Sequence, residues 1–124
     1  MASSMIHIAV ASEINKVLKR DSKKLLIGSI APDISKQIGE TKVLSHFQDF
    51  DDDLPNLDKF LRKYKSYLND DFVLGYYIHL FADYLWFKYF VPDFCKNGVV
   101  YKLDGTSKDI KGENKMPYLC WCFD

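Results

Sequence analysis

Net charge is what this chain lacks first: seventeen Lys and Arg offset seventeen Asp and Glu across 124 residues. Without an excess of either sign, long-range electrostatics cannot gather nucleic acid or an anionic membrane surface, so any partner has to be recognised at a site. The N-terminal stretch does not read as a secretory leader either. The opening MASSMIHIAVASEINKVLKR has no basic segment followed by a pure apolar stretch, and Glu13 and Asn15 interrupt it. The expected location is therefore the cytoplasm. Cysteine is scarce and odd in number, and the C-W-C spacing of Cys120 and Cys122 is shorter than the two-residue gap of a zinc knuckle. Together with Cys95 they read as reduced thiols, in keeping with that compartment.

The most apolar stretch, Phe72 to Phe87, is shorter than the roughly 20 residues a membrane span needs. Asp83 lies within it, and a carboxylate at mid-membrane costs about 2.5 to 3.5 kcal/mol on insertion scales. Burial in a bundle is the better expectation. Several metal-site signatures are absent too: adjacent His-Asp, paired Glu-x-x-His and H-E-x-x-H do not occur. The acidic run Asp51, Asp52, Asp53 lacks the glycine and distal glutamate of a calcium loop, and reads as a solvated run capping the helix that follows.

What is present is the material of one helical domain. At 48% hydrophobic and 15% aromatic, the chain has enough apolar surface to bury a core. Ile6, Val10, Ile14 and Val17 recur at helical spacing from about Ser4 to Lys19, with Ser3 or Ser4 as cap, and His7 belongs to the adjacent inward stripe. LLIGSIAPDISKQIG, broken by Gly28, Pro32 and Gly39, reads as a short buried segment feeding a loop that carries Asp33. Residues 40–53 offer a short helix around Val43 to Phe50, with His46 in it. Pro55 to Leu68 reads as an amphipathic peripheral helix. Asn69, Asp70 and Asp71 then cap a helix over about 71–91, ending before Pro92 and apolar on nearly every side. The fold class expected is all-α, a bundle around that central helix.

This central helix, GYYIHLFADYLWFKYF, carries His79 and Asp83 one turn apart on the same face. A buried carboxylate is expensive unless an opposite charge or several donors compensate it. The spacing leaves two readings open. Asp83 could accept hydrogen bonds from His79 or a tyrosine in a satisfied polar spot, or both side chains could ligate a metal. The chain has three histidines, His7, His46 and His79, and imidazole with carboxylate is a ligand set that zinc takes at hydrolytic sites. The aromatics nearby, Tyr76, Tyr77, Tyr84, Trp86 and Phe47, recur at core spacing and read as packing rather than substrate contacts.

The order SSMIHIAVA, GSIAPDI, SHF and GYYIHLFADYLW resembles the bacterial zinc-dependent phospholipase C family, over roughly residues 3–91. That family shares an all-α fold with P1-type nucleases. The resemblance implies that Asp33, His46, His79 and Asp83 hold one zinc, with Asp83 shared toward a second held by His7. It implies a phosphodiester or phospholipid headgroup as substrate, with metal-activated water attacking phosphorus and Asp33 orienting or deprotonating that water. Family members also use a mature N-terminal amine as ligand; loss of Met1 ahead of Ala2 would place an amine five positions before His7. A further zinc in the family draws on histidines after the H-x-x-x-D motif. No histidine follows His79 here, so one or two ions are expected.

After the central helix, NGVVYKLDGTSKDIKG has two turn dipeptides around a Val/Tyr run and reads as a small β-hairpin. ENKMPYLCWCFD matches none of these patterns, and the single domain, taken as 1–124, reads as incomplete at its C-terminus. A homodimer covering apolar helix faces is a further expectation.

Overall fold

The computed structural model describes residues 3–51, 53–96, 99–101 and 107–109. Helix α1, Ser4–Leu18, begins where the Ser3 hydroxyl accepts from the Ile6 amide, and ends at Lys19 in a left-handed conformation. The turn beyond is held by Asn15, whose side chain accepts from the Arg20 amide at 2.8 Å and donates to the Arg20 carbonyl at 3.1 Å. Asp21 caps α2, Ser22–Ile30, by accepting from the Lys24 amide. A 3-10 turn, Ala31–Lys36, follows directly and carries Asp33.

The segment read from sequence as short and broken is thus a full α-helix, and Gly28 lies inside it. The reason is packing. A Cβ on Gly28 would sit 2.1 Å from the Phe72 carbonyl oxygen, and one on Gly75 would sit 2.1 Å from the Leu25 carbonyl oxygen. The two glycines let α2 and α5, Asp71–Leu85, approach backbone to backbone, and this is the dominant helix contact of the fold. Their helix-weakening cost is offset by that approach.

Between these two helices the chain makes α3, Lys42–Ser45, and α4, Leu57–Tyr64. The helix expected around Val43–Phe50 stops at Ser45 because His46 leaves helical geometry and Phe47 adopts a positive φ of 53°. Asn56 caps α4 by accepting from the Lys59 amide. The cap expected from the acidic run is therefore supplied further along: Asp53 instead accepts from the Leu54 amide, and Pro55 precedes the helix rather than forming its first turn. Past α4 a 3-10 turn covers Lys65–Tyr67, and Asp70 caps α5 through the Phe72 and Val73 amides.

Helical structure does not end before Pro92. A π-turn, Trp86–Phe90, leads into α6, Val91–Phe94. The wider turn lets the Val91 amide reach the Trp86 carbonyl, and Pro92, which has no amide hydrogen, falls in the first turn of the short helix after it. The central helix is also less enclosed than its composition suggests. Gly75, Ile78, His79, Leu80 and Asp83 are buried, but Phe81 and Leu85 are exposed on the opposite side.

Two packed zones flank the α5 polar residues. Ala11, Leu25 and Ile78, ringed by Val10, Ile14, Leu26 and Leu74, form an aliphatic core. Phe60 anchors an aromatic one with Phe47, Tyr64, Tyr76 and Tyr77, so three of the aromatics read as packing do pack. The α1–α2 turn is tied to the start of α5 by Arg20, which donates to Asp71 at 3.0 Å, and by the Asp21 amide, which donates to the other Asp71 oxygen at 3.1 Å.

The architecture is all-α, followed by a short antiparallel ladder. Cys95–Lys96 (β1) pairs with Val99–Tyr101 (β2), which pairs with Ser107–Asp109 (β3). The hairpin expectation therefore holds and gains a third strand, which continues directly from α6. Cys120 and Cys122 lie outside the described residues. Among those described, no helix is long and apolar enough to cross a membrane.

Candidate metal centre

Four local devices deliver the five side chains singled out from sequence. His7 sits one turn before Ala11 on the inward stripe of α1, and both are buried. Asp33 follows Pro32 in the 3-10 turn, where the proline stops α2 and swings the chain across its end. His46 is the residue at which α3 terminates. His79 and Asp83 stand one turn apart on the buried face of α5.

The structure brings all five to one place. His7 Nε2 lies 3.1 Å from Asp83 Oδ1. Asp83 Oδ2 is 3.5 Å from His46 Nε2 and 3.4 Å from His79 Nε2. Asp33 Oδ1 is 3.2 Å from His46 Nε2 and 3.8 Å from His79 Nε2. The His7 and His79 rings stack with centroids 3.6 Å apart. His7, His46, His79 and Asp83 are at most 1% exposed, while the Asp33 side chain is 12% exposed, so the cluster opens toward Asp33.

The bland reading, a polar spot satisfied by simple hydrogen bonds, does not match this geometry. Neither oxygen of Asp83 and neither ring nitrogen of His7 makes a hydrogen bond of standard geometry. His79 Nδ1 faces the Ser29 carbonyl oxygen at 2.6 Å, and a carbonyl can only accept. In the neutral ring the proton therefore sits on Nδ1 and the lone pair on Nε2. That lone pair is aimed at His46 Nε2, 3.2 Å away. Nitrogen and oxygen lone pairs thus converge on one small volume, an arrangement that a proton or a cation has to neutralise.

A divalent ion fits the donor set. Zinc takes imidazole nitrogen at about 2.0 to 2.1 Å and carboxylate oxygen at about 2.0 to 2.2 Å, which sets tetrahedral donors roughly 3.4 Å apart. The separations of 3.2 to 3.8 Å bracket that value. Two overlapping groups have ligand spacing, His7 with His79 and Asp83, and Asp33 with His46 and His79.

Electrostatics sharpen the picture. Burial alone would raise the Asp83 carboxyl, but the His7 and His79 rings beside it outweigh burial and hold the group well below the usual carboxylate range. Burial pushes His46 below the ordinary histidine value, against the opposing influence of Asp33 and Asp83. Both shifts favour an ionised carboxylate beside a neutral ring, the protonation states a metal requires.

Sequence reasoning did not single out the groups behind the rings. These are the Ser29 carbonyl, the Ser45 hydroxyl at 2.9 Å from His46 Nδ1, and Tyr76, whose hydroxyl donates to the Ser45 carbonyl. The serine directly before His46 was the one visible signal. A backbone carbonyl leaves none.

A helical bundle that buries three imidazoles and a carboxylate beside a second, partly open carboxylate has a donor set that could hold a metal ion. The family model for zinc dependent phospholipase C matches residues 6–108, and the chain belongs to that family. No curated protein and no solved structure matches the chain.

Proposed function

We propose that the chain is a zinc-dependent hydrolase of phosphodiesters of the phospholipase C type, with the His/Asp cluster as its active centre. The observation that carries this reading is the convergence of five side chains, drawn from α1, the 3-10 turn, the end of α3 and α5, with donor atoms 3.1 to 3.8 Å apart. Family membership supports the zinc dependence and a lipid-related substrate.

In this proposal His46, His79, Asp83 and Asp33 hold one zinc, and His7 with the second oxygen of Asp83 holds another. Zinc, when bound, lowers the pKa of water toward neutrality and offsets charge developing on phosphoryl oxygens. The chain's own residues do the rest. Asp83, buried and ionised, supplies negative charge that keeps the site selective for a cation. Asp33, at the open edge of the cluster, orients the attacking water or takes its proton, and faces the substrate phosphate as it enters. The test is hydrolysis of a chromogenic phosphocholine ester. Turnover that is abolished by chelator, restored by zinc and lost in Asp83→Asn supports the proposal; zinc-independent turnover contradicts it.

One observation favours a second reading, a metal-stabilised bundle without catalysis. Four of the five side chains are at most 1% exposed. A metal there would clamp the Asp33 and His46 loops to α5 whether or not substrate reached it. Zinc-dependent stability without ester turnover would select that reading.

A further inference from the structure

The Asp33 and His46 turns are joined by a chain of hydroxyls whose direction is fixed at one end. Ser35, 2% exposed, donates to the Pro32 carbonyl at 3.3 Å, and that carbonyl can only accept. With its proton committed, Ser35 Oγ offers a lone pair to Ser45, whose hydroxyl lies 3.0 Å away and donates to it. The Lys42 carbonyl is a second acceptor for the same Ser45 proton, at 3.2 Å. With its proton on either of these acceptors, Ser45 leaves its own oxygen as an acceptor facing His46 Nδ1 at 2.9 Å. Tyr76 fastens the same residue from α5 by donating to the Ser45 carbonyl, and burial, chiefly, pushes the tyrosine up to about 12, so it remains a donor throughout the neutral range.

We infer that Ser45, polarised by Ser35, is a positioning residue that fixes His46 as the Nδ1–H tautomer and turns its Nε2 lone pair into the cluster. The inference rests on the metal reading for its purpose, though not for its geometry. It also explains why Asp33 and His46 arrive together. The hydroxyl chain begins at the His46 ring and ends on the carbonyl of the residue before Asp33, so the two turns are registered to each other before any ion is bound. A group behind a ligating imidazole contributes about 10- to 100-fold in metal affinity.

The experiment has two arms. Long-range nitrogen–proton correlation spectra of the metal-free wild-type protein, recorded at pH 8, read the His46 tautomer directly. The expected result is a protonated Nδ1 and a bare Nε2; a protonated Nε2 overturns the inference. Zinc titration of wild type, Ser45→Ala and Ser45→Thr reads the consequence. Ser45→Ala is expected to weaken zinc about 10- to 100-fold and to mix the two tautomers, while Ser45→Thr, which keeps the hydroxyl, restores both. Unchanged zinc affinity in Ser45→Ala, with only a lower melting temperature, would show a structural hydroxyl and overturn the inference. Should Ser45→Ala fail to fold, Ser35→Ala is titrated in its place, and the wild-type spectrum decides without any variant. A wild-type protein that shows the expected tautomer but binds no zinc would refute the metal reading and leave this inference standing.

Discussion

Asp83 turns one carboxylate oxygen, Oδ1, toward His7 Nε2 at 3.1 Å and keeps the other, Oδ2, for His46 and His79. That division bears on how many ions the cluster can take. His79 has committed Nδ1 to the Ser29 carbonyl, so its single remaining nitrogen serves one ion only. A second ion then depends on His7 and on the Oδ1 side of Asp83.

His7→Ala is therefore expected to lower zinc stoichiometry by one and leave the tighter site in place. Calorimetric titration of metal-free protein checks this. An unchanged stoichiometry would remove His7 from the ligand set.

Asp83→Asn removes the charge without removing the volume. Because the side chain serves both zinc sites of the proposal, zinc affinity and phosphocholine ester turnover are expected to fall together, each by more than 100-fold. Equilibrium dialysis and a rate assay on the same preparation decide it. A variant that keeps tight zinc binding would show that Asp83 is a packing residue.

Protonation sets a pH window for metal-free stability. The folded state holds His46 below the usual 6.5, so the unfolded chain takes up its proton first as pH falls. The His46 contribution is complete above about 6.5 and is lost progressively below it. Asp83, held below its unfolded value of 3.8, adds a loss that begins only near that lower pH. The urea midpoint of chelator-treated protein is expected to fall between pH 7 and pH 5, and the fall should be shallower in His46→Gln. A steeper fall in that variant would contradict the assignment.

Gly75→Ala tests the backbone approach that seats His79. The added Cβ would lie 2.1 Å from the Leu25 carbonyl oxygen, and backbone on both sides leaves no flexible group to yield. A loss of about 3 kcal/mol is expected from denaturant unfolding, at the upper end of overpacking costs. Zinc binding should weaken as well, because α2 carries the Ser29 carbonyl that orients the His79 ring. A change below about 0.5 kcal/mol would mean that the helices separate freely.

Helices α1, α4 and α5 and the His79–Asp83 pair were legible because their signals are local, whereas His7, Asp33 and His46 entered the ligand set through the family resemblance. Ser3 and Asp70 announce caps, and His79 with Asp83 announces a polar face on an apolar helix. What sequence reading misplaced depended on contacts between distant segments. Gly28 reads as a breaker until Phe72 is seen against it, and Asn56 outcompetes an acidic run as cap through backbone geometry. Pro92 reads as a stop, yet the π-turn before it lets the helical path continue. The orientation of the rings was least accessible. It is set by a carbonyl, a hydroxyl chain and a tyrosine that carry no spacing signature.

The central claim is that a divalent cation neutralises the converging lone pairs around Asp83. Elemental analysis of protein purified without chelator, set beside Asp83→Asn and His79→Ala prepared identically, tests it most directly. The account predicts one to two zinc per wild-type chain and a loss of that zinc in both variants. Folded wild-type protein carrying no metal, and gaining no thermal stability when zinc is added, would contradict it.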